Sequence, residues 1–163
     1  MHVREATPED APAVRRVADA SWHAAHDDVL DEAAVDELLA RWYDVDDLRE
    51  SIAESTPPMF VADDDGVVGF AQGGATADGP ADAAVGRIYV HPDRWGEGYG
   101  SGLLARLFDA FRAAGHEDVW LAVLADNEVG RSFYDARGFE VHAERTVELA
   151  GQSVDDVVLV RDL

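Results

Sequence analysis

Apolar residues recur at two spacings along the chain, which separate predicted helices from predicted strands. Helical spacing marks four regions, at 7–25, 31–53, 99–114 and 127–137. Alternating or continuous apolar runs mark seven strands, at 2–6, 59–62, 67–75, 83–91, 118–125, 139–149 and 154–162. The order β-α-α-β-β-β-α-β-α-β-β, with no repeat, low-complexity segment or linker, predicts one α/β domain over residues 1–163 around a mixed sheet.

Composition narrows the class of protein. Hydrophobic residues make up 47% of the 163 residues, which is typical of a globular chain. There is no cysteine, which excludes disulfides, thiolate metal sites and a cysteine nucleophile. No apolar run approaches the roughly 20 residues of a membrane helix, and the start MHVREATPED lacks the features of a signal peptide. We therefore expect a soluble, cytoplasmic protein without membrane contact.

The charge is strongly negative. Acidic residues number 34 against 13 basic ones, all arginine, for a formal net charge of −21. Such a surface repels nucleic acid and anionic lipid. The acids are spread along the chain rather than gathered in a binding tail, which favours adaptation to a salty, halophilic cytoplasm. The run at 63–65 precedes Gly66 and is predicted as a solvated turn, so no metal site is expected.

One loop carries the clearest chemical signal. In HPDRWGEGYGSGLL, residues 91–104, glycines fall on alternate positions between a predicted strand and a predicted helix. Backbone N–H groups at such a helix start suit an anion, and the glycines allow close approach of a pyrophosphate. A Walker A loop is excluded because the chain has no lysine. A dinucleotide fingerprint is excluded because Ser101 and Leu103 stand where its last glycine is required.

Two motifs resemble one family. IYVHPDRWGEGYGSGLL is similar to the acetyl-CoA-binding motif of the GNAT N-acetyltransferase superfamily, a strand, a proline, then Q/R-x-x-G-x-G/A opening a helix. Trp95 departs from it at the Q/R position. DNEVGRSFYDARGF resembles the segment N-x-x-A-x-x-x-Y-x-x-x-G-F, with Gly130 in place of alanine. The specific motifs lie in residues 86–140, and the order of elements agrees over the whole chain.

The resemblance implies a fold and a cofactor site. The implied GNAT fold has a mixed, largely antiparallel central sheet, splayed between the fourth and fifth strands and flanked by about four helices. Acetyl-CoA would be the acyl donor: its pantetheine arm would pair with the fourth strand and its pyrophosphate would bind the glycine loop. The implied cofactor-binding residues are Ile88, Tyr89, Val90, Trp95, Gly96, Glu97, Gly98, Tyr99, Gly100, Ser101, Asn127 and Arg131. Asn127 is equally a helix N-cap, and Arg131 equally a surface arginine.

The resemblance implies that Tyr134 protonates the departing thiolate of CoA, although a core aromatic beside Phe133 is the structural alternative. A strand glutamate serves as the base in many family members, but no acid stands between Asp82 and His91. The first helices form the acceptor pocket in this fold, so candidate pocket residues are Trp22, His23 and His26. Either histidine has a suitable pKa for a base, and either could equally be an exposed helix residue. Trp42 and Tyr43 are further candidate walls.

Two functions follow from the resemblance. The first is transfer of acetyl from acetyl-CoA to a primary amine of a small molecule or peptide, by direct attack in a ternary complex. The second is a non-catalytic acyl-CoA-binding sensor, which the missing glutamate and Trp95 favour. The sequence motifs do not identify the acceptor amine. Dimerisation is common in the family, and VDDVVLVRD is a candidate strand for a homodimer.

Overall fold

The computed structural model describes residues 2–27 and 30–163, and within these ranges seven strands and five α-helices form. The strands are His2–Glu5 (β1), Phe60–Asp63 (β2), Val67–Ala75 (β3), Ala83–Val90 (β4), Asp118–Leu124 (β5), Glu140–Leu149 (β6) and Gln152–Asp162 (β7). The helices are Ala11–His26 (α1), Glu32–Trp42 (α2), Val45–Glu54 (α3), Tyr99–Ala113 (α4) and Glu128–Asp135 (α5). Short 3₁₀ turns at Pro8–Asp10 and Pro92–Arg94 precede α1 and α4.

The prediction of a single helical region at 31–53 is wrong, because this segment forms two helices, α2 and α3. Tyr43 leaves the helical conformation, with φ −128° and ψ 27°. The carboxylate of Asp44 then accepts a hydrogen bond from Asp47 N–H at 3.1 Å and caps a new helix. The expected four helices are therefore five.

The first predicted helix also begins differently. Residues Pro8–Asp10 form a 3₁₀ turn, and the α-helix starts only at Ala11. Pro12 has no N–H with which to bond the Pro8 carbonyl, so an α-helix cannot run through this turn with its hydrogen bonds intact. Thr7 is the N-cap of this turn, and its N–H donates to the Asp10 carboxylate at 2.8 Å.

The sheet confirms the predicted architecture. Its strand order is β1-β2-β3-β4-β5-β7-β6, and every neighbouring pair is antiparallel except β4 with β5. These two strands pair only at Ala83 with Val119 and at Ala84 with Trp120, and they separate beyond. The splay between the fourth and fifth strands is therefore present. Because β7 lies between β5 and β6, its backbone is already paired on both sides.

Helices cover both faces of the sheet. On one face, buried side chains of α1, α2 and α3, such as Val17 and Leu38, pack in one cluster with Phe70 of β3. On the other face, Leu107 of α4 and Tyr134 of α5 pack in a second cluster. Among the described helices, none is long and apolar enough to cross a bilayer.

A bulge in β4 assigns its side chains to these faces. Gln72 of β3 lies opposite Arg87, but Gly73 lies opposite Val85, so Gly86 is an extra residue. Val85 packs in the α4 cluster, whereas Tyr89 packs against the α1–α3 cluster. Beyond the bulge, Arg87 and Tyr89 therefore face α1–α3.

Candidate functional site

Strand edges that pair with no neighbouring strand line the gap between β4 and β5. His91 N–H donates to Val68 O at 2.8 Å. Because the backbone groups of successive residues point to opposite sides of a strand, Tyr89 directs its N–H and C=O groups to β3 as His91 does, whereas Ile88 and Val90 direct theirs to the gap. Ala125 N–H donates to Asp155 O, so by the same alternation Ala122 faces the gap from β5. An extended chain with amide groups can pair with such edges as an added strand does.

The start of α4 presents free N–H groups beside this gap. The first intrahelical hydrogen bond runs from Gly102 N–H to Gly98 O at 3.1 Å. The N–H groups of Tyr99, Gly100 and Ser101 therefore have no partner within the helix. They point along the helix axis toward the end where an anion binds most favourably.

The loop glycines have two different structural causes. Gly96 and Gly98 have φ of 81° and 92°, a region that favours glycine. Gly100 is required for another reason, because a Cβ there would lie 2.9 Å from the Phe133 ring. The expectation that ligand approach explains every glycine is thus too simple, since packing by α5 explains Gly100.

Two arginines flank the loop. Arg94 donates to the Asp64 carboxylate at 2.9 Å, and its Nη1 lies 3.6 Å from the half-exposed Glu97 carboxylate. Arg137 instead stacks on the Phe133 ring, 3.7 Å from its centroid, and donates to Ser101 Oγ at the start of α4. Because its contacts are neutral groups, Arg137 brings positive charge to the anion end of the gap.

A cavity of about 500 Å³ joins the loop to the first helix. The predicted residues that line it are Trp22, His26, Ile88, Tyr89, Val90, Trp95, Gly96, Gly98, Tyr99, Gly100, Ser101, Asn127 and Tyr134. Its size is within the range of small-molecule sites. One continuous space therefore connects the helix N-terminus, the splayed strands and α1.

Tyr134 lies on the wall of this cavity. Its ring meets Phe133 and Phe139 edge to face, with centroids 5.3 and 5.5 Å away. Burial raises the pKa of Tyr134, so the phenol keeps its proton at neutral pH. No described residue hydrogen-bonds to its hydroxyl, which leaves the O–H available to a bound molecule. The core-aromatic and proton-donor roles are thus compatible.

The two α5 residues differ in placement. Asn127 caps α5, since its Oδ1 accepts from Gly130 N–H at 2.9 Å, and it also lines the cavity. A Cβ on Gly130 would lie 2.7 Å from Asn127 Nδ2, so glycine makes room for this rotamer. Arg131 donates to Ala125 O at 3.0 Å and lies outside the cavity lining. Its cofactor contact remains a prediction.

The two histidines of α1 differ in placement. His26 lines the cavity, only 2% exposed, and its Nδ1 has no hydrogen-bond partner in the part of the chain that the structure describes. Burial lowers its pKa to about 4, so the ring is neutral. His23 lies outside the cavity lining, 2.8 Å from both Asp27 and Asp36. Partial burial lowers the pKa of His23, but the hydrogen bonds and charges of Asp27 and Asp36 together outweigh burial, so the pKa is raised.

The aromatic residues near α1 also differ in placement. Trp22 lines the cavity, and its ring centroid lies 5.9 Å from that of Tyr89. Tyr43 is buried against Phe70, with ring centroids 6.1 Å apart, and Trp42 is 41% exposed. Neither Trp42 nor Tyr43 is part of the cavity wall. Helix-to-sheet packing therefore accounts for Tyr43.

Trp95 closes part of the gap. Its indole Nε1 donates to Val90 O at 2.8 Å, and Ser21 Oγ donates to the same oxygen at 3.0 Å. The ring is 40% exposed and lines the cavity mouth. The tryptophan at the Q/R position thus binds the strand edge.

Sequence reasoning missed four polar residues of the cavity, namely Ser21, Arg87, Arg137 and Asp156. Asp156 is held by Arg145 through two hydrogen bonds, at 2.8 and 2.6 Å. Arg87 immediately precedes the quoted strand motif, and Arg137 is the residue before Gly138-Phe139. Their positions inside or beside the motifs were the available signals. Within residues 2–27 and 30–163, no group of three or more His, Asp or Glu side chains could hold a metal ion.

Comparisons with known proteins agree with this geometry. L-amino acid N-acyltransferase MnaT of Escherichia coli is 33% identical over 90 residues, covering 53% of this chain and 52% of that protein. The match thus spans about half the length of the curated relative. The PaiA N-acetyltransferase of Thermoplasma acidophilum, solved in complex with coenzyme A, shares the fold with a TM-score of 0.86 and 22% identity over 99% of this chain and 98% of that one.

A second solved structure is the yncA protein of Salmonella typhimurium with its cofactor acetyl-CoA. It is 25% identical, with a TM-score of 0.67 over 99% of this chain and 93% of that one. The family model described as the acetyltransferase (GNAT) family matches residues 17–139. That match includes residues 17–26 of the first helix, the splayed strands, the glycine loop and Tyr134. The chain therefore belongs to the acetyltransferase (GNAT) family.

Proposed function

We propose that the chain transfers an acetyl group from acetyl-CoA to a primary amine of a small molecule or peptide, by direct attack in a ternary complex. The observation that carries the proposal is the single cavity described above. It brings together the free N–H groups of α4, the open edges of β4 and β5, and the unpartnered O–H of Tyr134. The first two features suit a pyrophosphate and an amide-bearing arm.

Each group of residues would have a distinct task. Acetyl-CoA would supply an activated acyl group. The N–H groups of Tyr99 to Ser101, with Arg137, would hold its phosphates. Ile88 and the N–H group of Val90 would hold its arm extended, because Val90 O already accepts from Trp95 and Ser21. Tyr134 would give its proton to the sulfur as the carbon–sulfur bond breaks and the carbon–nitrogen bond forms. Alignment of the two reactants would supply much of the rate.

A second candidate is the non-catalytic acyl-CoA sensor. One observation favours it, because the cavity offers no evident base among the described residues. His26 has a pKa lowered to about 4, and the carboxylate of Asp156 is held by Arg145. An enzyme would then have to pass the amine proton to water or bind the amine already neutral.

Thiol release measured in molar KCl, with acetyl-CoA and a panel of amines and peptides, distinguishes the two functions. The enzyme should release CoA with at least one acceptor. Calorimetric binding of acetyl-CoA without release for any acceptor would favour the sensor. Folded protein that binds no acetyl-CoA would contradict both.

A further inference from the structure

Arg87 is a cation that the proposed reaction does not yet use. It follows the bulge of β4 and faces α1–α3, on the side of the sheet opposite α4. Arg87 lines the same cavity as Trp22, His26 and Tyr89, and it also lines a second, more open cavity beside Ser51 and Gln72. It lies three residues before Val90, which is about 10 Å along a strand. The glycine loop is farther still, so Arg87 is not placed for the pyrophosphate.

The guanidinium is held rigidly by neutral groups. Nε donates to Gln72 Oε1 at 2.9 Å, and Nη1 donates to the backbone oxygen of Trp42 at 3.1 Å. Its Cζ lies 4.9 Å from the centre of the Tyr43 ring. Gln72 is itself held, since its Nε2 donates to Ser51 Oγ at 2.9 Å. Immobilisation of this kind reduces the entropy lost when a ligand binds.

The charge of Arg87 is not neutralised locally. Arg94 and Arg145 pair with Asp64 and Asp156, but no carboxylate of the described residues forms an ion pair with Arg87. Asp156 is the one carboxylate in the cavity lining, and Arg145 already holds it. A guanidinium has five N–H donors, of which the structure engages two in Arg87. The remaining donors suit a carboxylate.

We propose that the amine acceptor carries a carboxylate and that Arg87 binds it, so that the substrate class is small amino acids. This inference rests on the proposed acetyl transfer. Trp22, Tyr89, Leu124 and Leu149 add an apolar wall to the cavity, which favours an apolar or aromatic side chain on the amino acid. The uncompensated cation also disfavours polyamines, despite the negative charge of the whole surface.

The test compares matched acceptors. Methionine and phenylalanine are assayed against their amides and against phenethylamine, by thiol release with acetyl-CoA. Wild-type protein should favour the free carboxylates. Arg87→Gln should lower kcat/KM for the amino acids about 10- to 100-fold, the range for losing a hydrogen bond to a charged group. The kcat/KM values for the amides should change little. The wild-type to Arg87→Gln ratio of kcat/KM is taken for each amino acid and divided by the same ratio for its amide, which cancels the difference in basicity between the two amines.

Two controls separate binding from folding. Arg112→Gln removes an arginine that pairs with Asp109 outside the cavity and should leave all acceptors unchanged. Arg87→Lys keeps the positive charge but loses the planar guanidinium that can bind a carboxylate through two hydrogen bonds. Its kcat/KM for the amino acids should lie between those of wild type and Arg87→Gln. Melting temperature and acetyl-CoA affinity, measured on each variant, report any general damage.

Calorimetry of the amino acids with the CoA-loaded protein keeps this inference distinct from the proposed function. Binding that depends on Arg87, without thiol release for any amine, would support the carboxylate site and contradict the enzyme. Three results would overturn the inference. In the first, wild-type protein acetylates amines without a carboxylate as efficiently as amino acids. In the second, Arg87→Gln lowers kcat/KM equally for every acceptor. In the third, the protein neither binds nor acetylates any amino acid.

Discussion

At the scale of single residues, Tyr134 and His26 show how burial sets the protonation state on the cavity wall. Burial raises the pKa of the phenol and lowers that of the imidazole, because both shifts favour the neutral form. The phenol is left with a proton to give. The imidazole, with a pKa of about 4, is a weak base at neutral pH.

Replacing Tyr134 by phenylalanine should lower kcat about 100-fold, in the range for loss of a general acid. Acetyl-CoA affinity should change little, because the ring packing against Phe133 and Phe139 is kept. Tyr43→Phe, which removes a buried phenol outside the cavity, is the matched control. Steady-state thiol release and calorimetry measure the two quantities. Unchanged turnover in Tyr134→Phe would remove the residue from the reaction.

His26 should make the fold sensitive to acid. The unfolded ring has a pKa near 6.5 and the folded one about 4, so the unfolded chain binds more protons between these values. The stability contributed by neutral His26 is complete above pH 6.5 and is lost as the pH falls toward 4. Between about pH 7.5 and about pH 5 the loss should be about 2 kcal/mol.

Urea unfolding at the two pH values measures this loss. His26→Gln should reduce the difference by about 2 kcal/mol, whereas His142→Gln, on the exposed strand β6, should leave it unchanged. An identical pH dependence in His26→Gln and wild type would show that acid acts through other groups.

The role of a residue was predictable from the sequence where it belongs to a short local motif. Tyr134 and Asn127 were identified from their motif, and the cavity contains both. Arg87 and Arg137 were missed because their importance depends on partners far along the chain, at Trp42 and Ser101. His23 and His26, three residues apart on one helix, differ in burial because only His26 faces the sheet side of α1.

At the scale of elements, the start of α4 shows how backbone conformation creates a binding site. Gly98 is the N-cap of α4 with φ 92°, and Gly115, just beyond the other end of the same helix, has φ 90°. The two glycines therefore carry the same conformational demand in different surroundings. Only Gly98 lines the cavity.

This pair provides a matched test. Alanine at either position should destabilise the fold by a similar amount, about 1–2 kcal/mol, because a side chain is disfavoured at positive φ. A Cβ at either glycine would have nothing within 4 Å, so neither change introduces a clash. Only Gly98→Ala should also weaken acetyl-CoA binding, by shifting the N–H groups that follow it. Calorimetry and urea unfolding separate the effects. Equal CoA affinity in both variants would argue against binding at this helix start.

Elements were predictable to within a few residues where their periodicity is long. The strand pattern and the two later helices were found, as was the splay that the family resemblance implied. The break at Tyr43 was missed because apolar spacing continues through it. Only the Asp44 cap interrupts the helix there.

At the scale of the whole molecule, the net charge of −21 is the dominant property. The described ion pairs are mostly on the surface, and each such pair contributes little at high salt. Uncompensated acidic repulsion opposes the folded state most strongly at low ionic strength. Adaptation to high salt therefore remains a prediction with a direct test.

Melting temperature should rise by about 3 °C or more between about 0.1 M and about 2 M KCl, since screening removes more than about 1 kcal/mol of repulsion. NaCl should act equally if screening is the cause. A melting temperature that stays constant or falls with salt would contradict adaptation to a salty cytoplasm. Composition supported this prediction because net charge sums over the chain and requires no knowledge of the fold.

The bulge at Gly86 has an evolutionary consequence. Side chains alternate along a strand, so the extra residue sets which of them face α1–α3 and which face α4. If the strand instead alternated regularly through Gly86, the two sets would exchange, which would bring Ile88 and Val90 to the α1–α3 side and send Arg87 and Tyr89 into the apolar interior beside α4. New acceptor preferences should therefore arise by substitution at Arg87 and Tyr89, whereas an insertion or deletion in β4 beyond Gly86 would move these side chains to the other face and should be eliminated by selection.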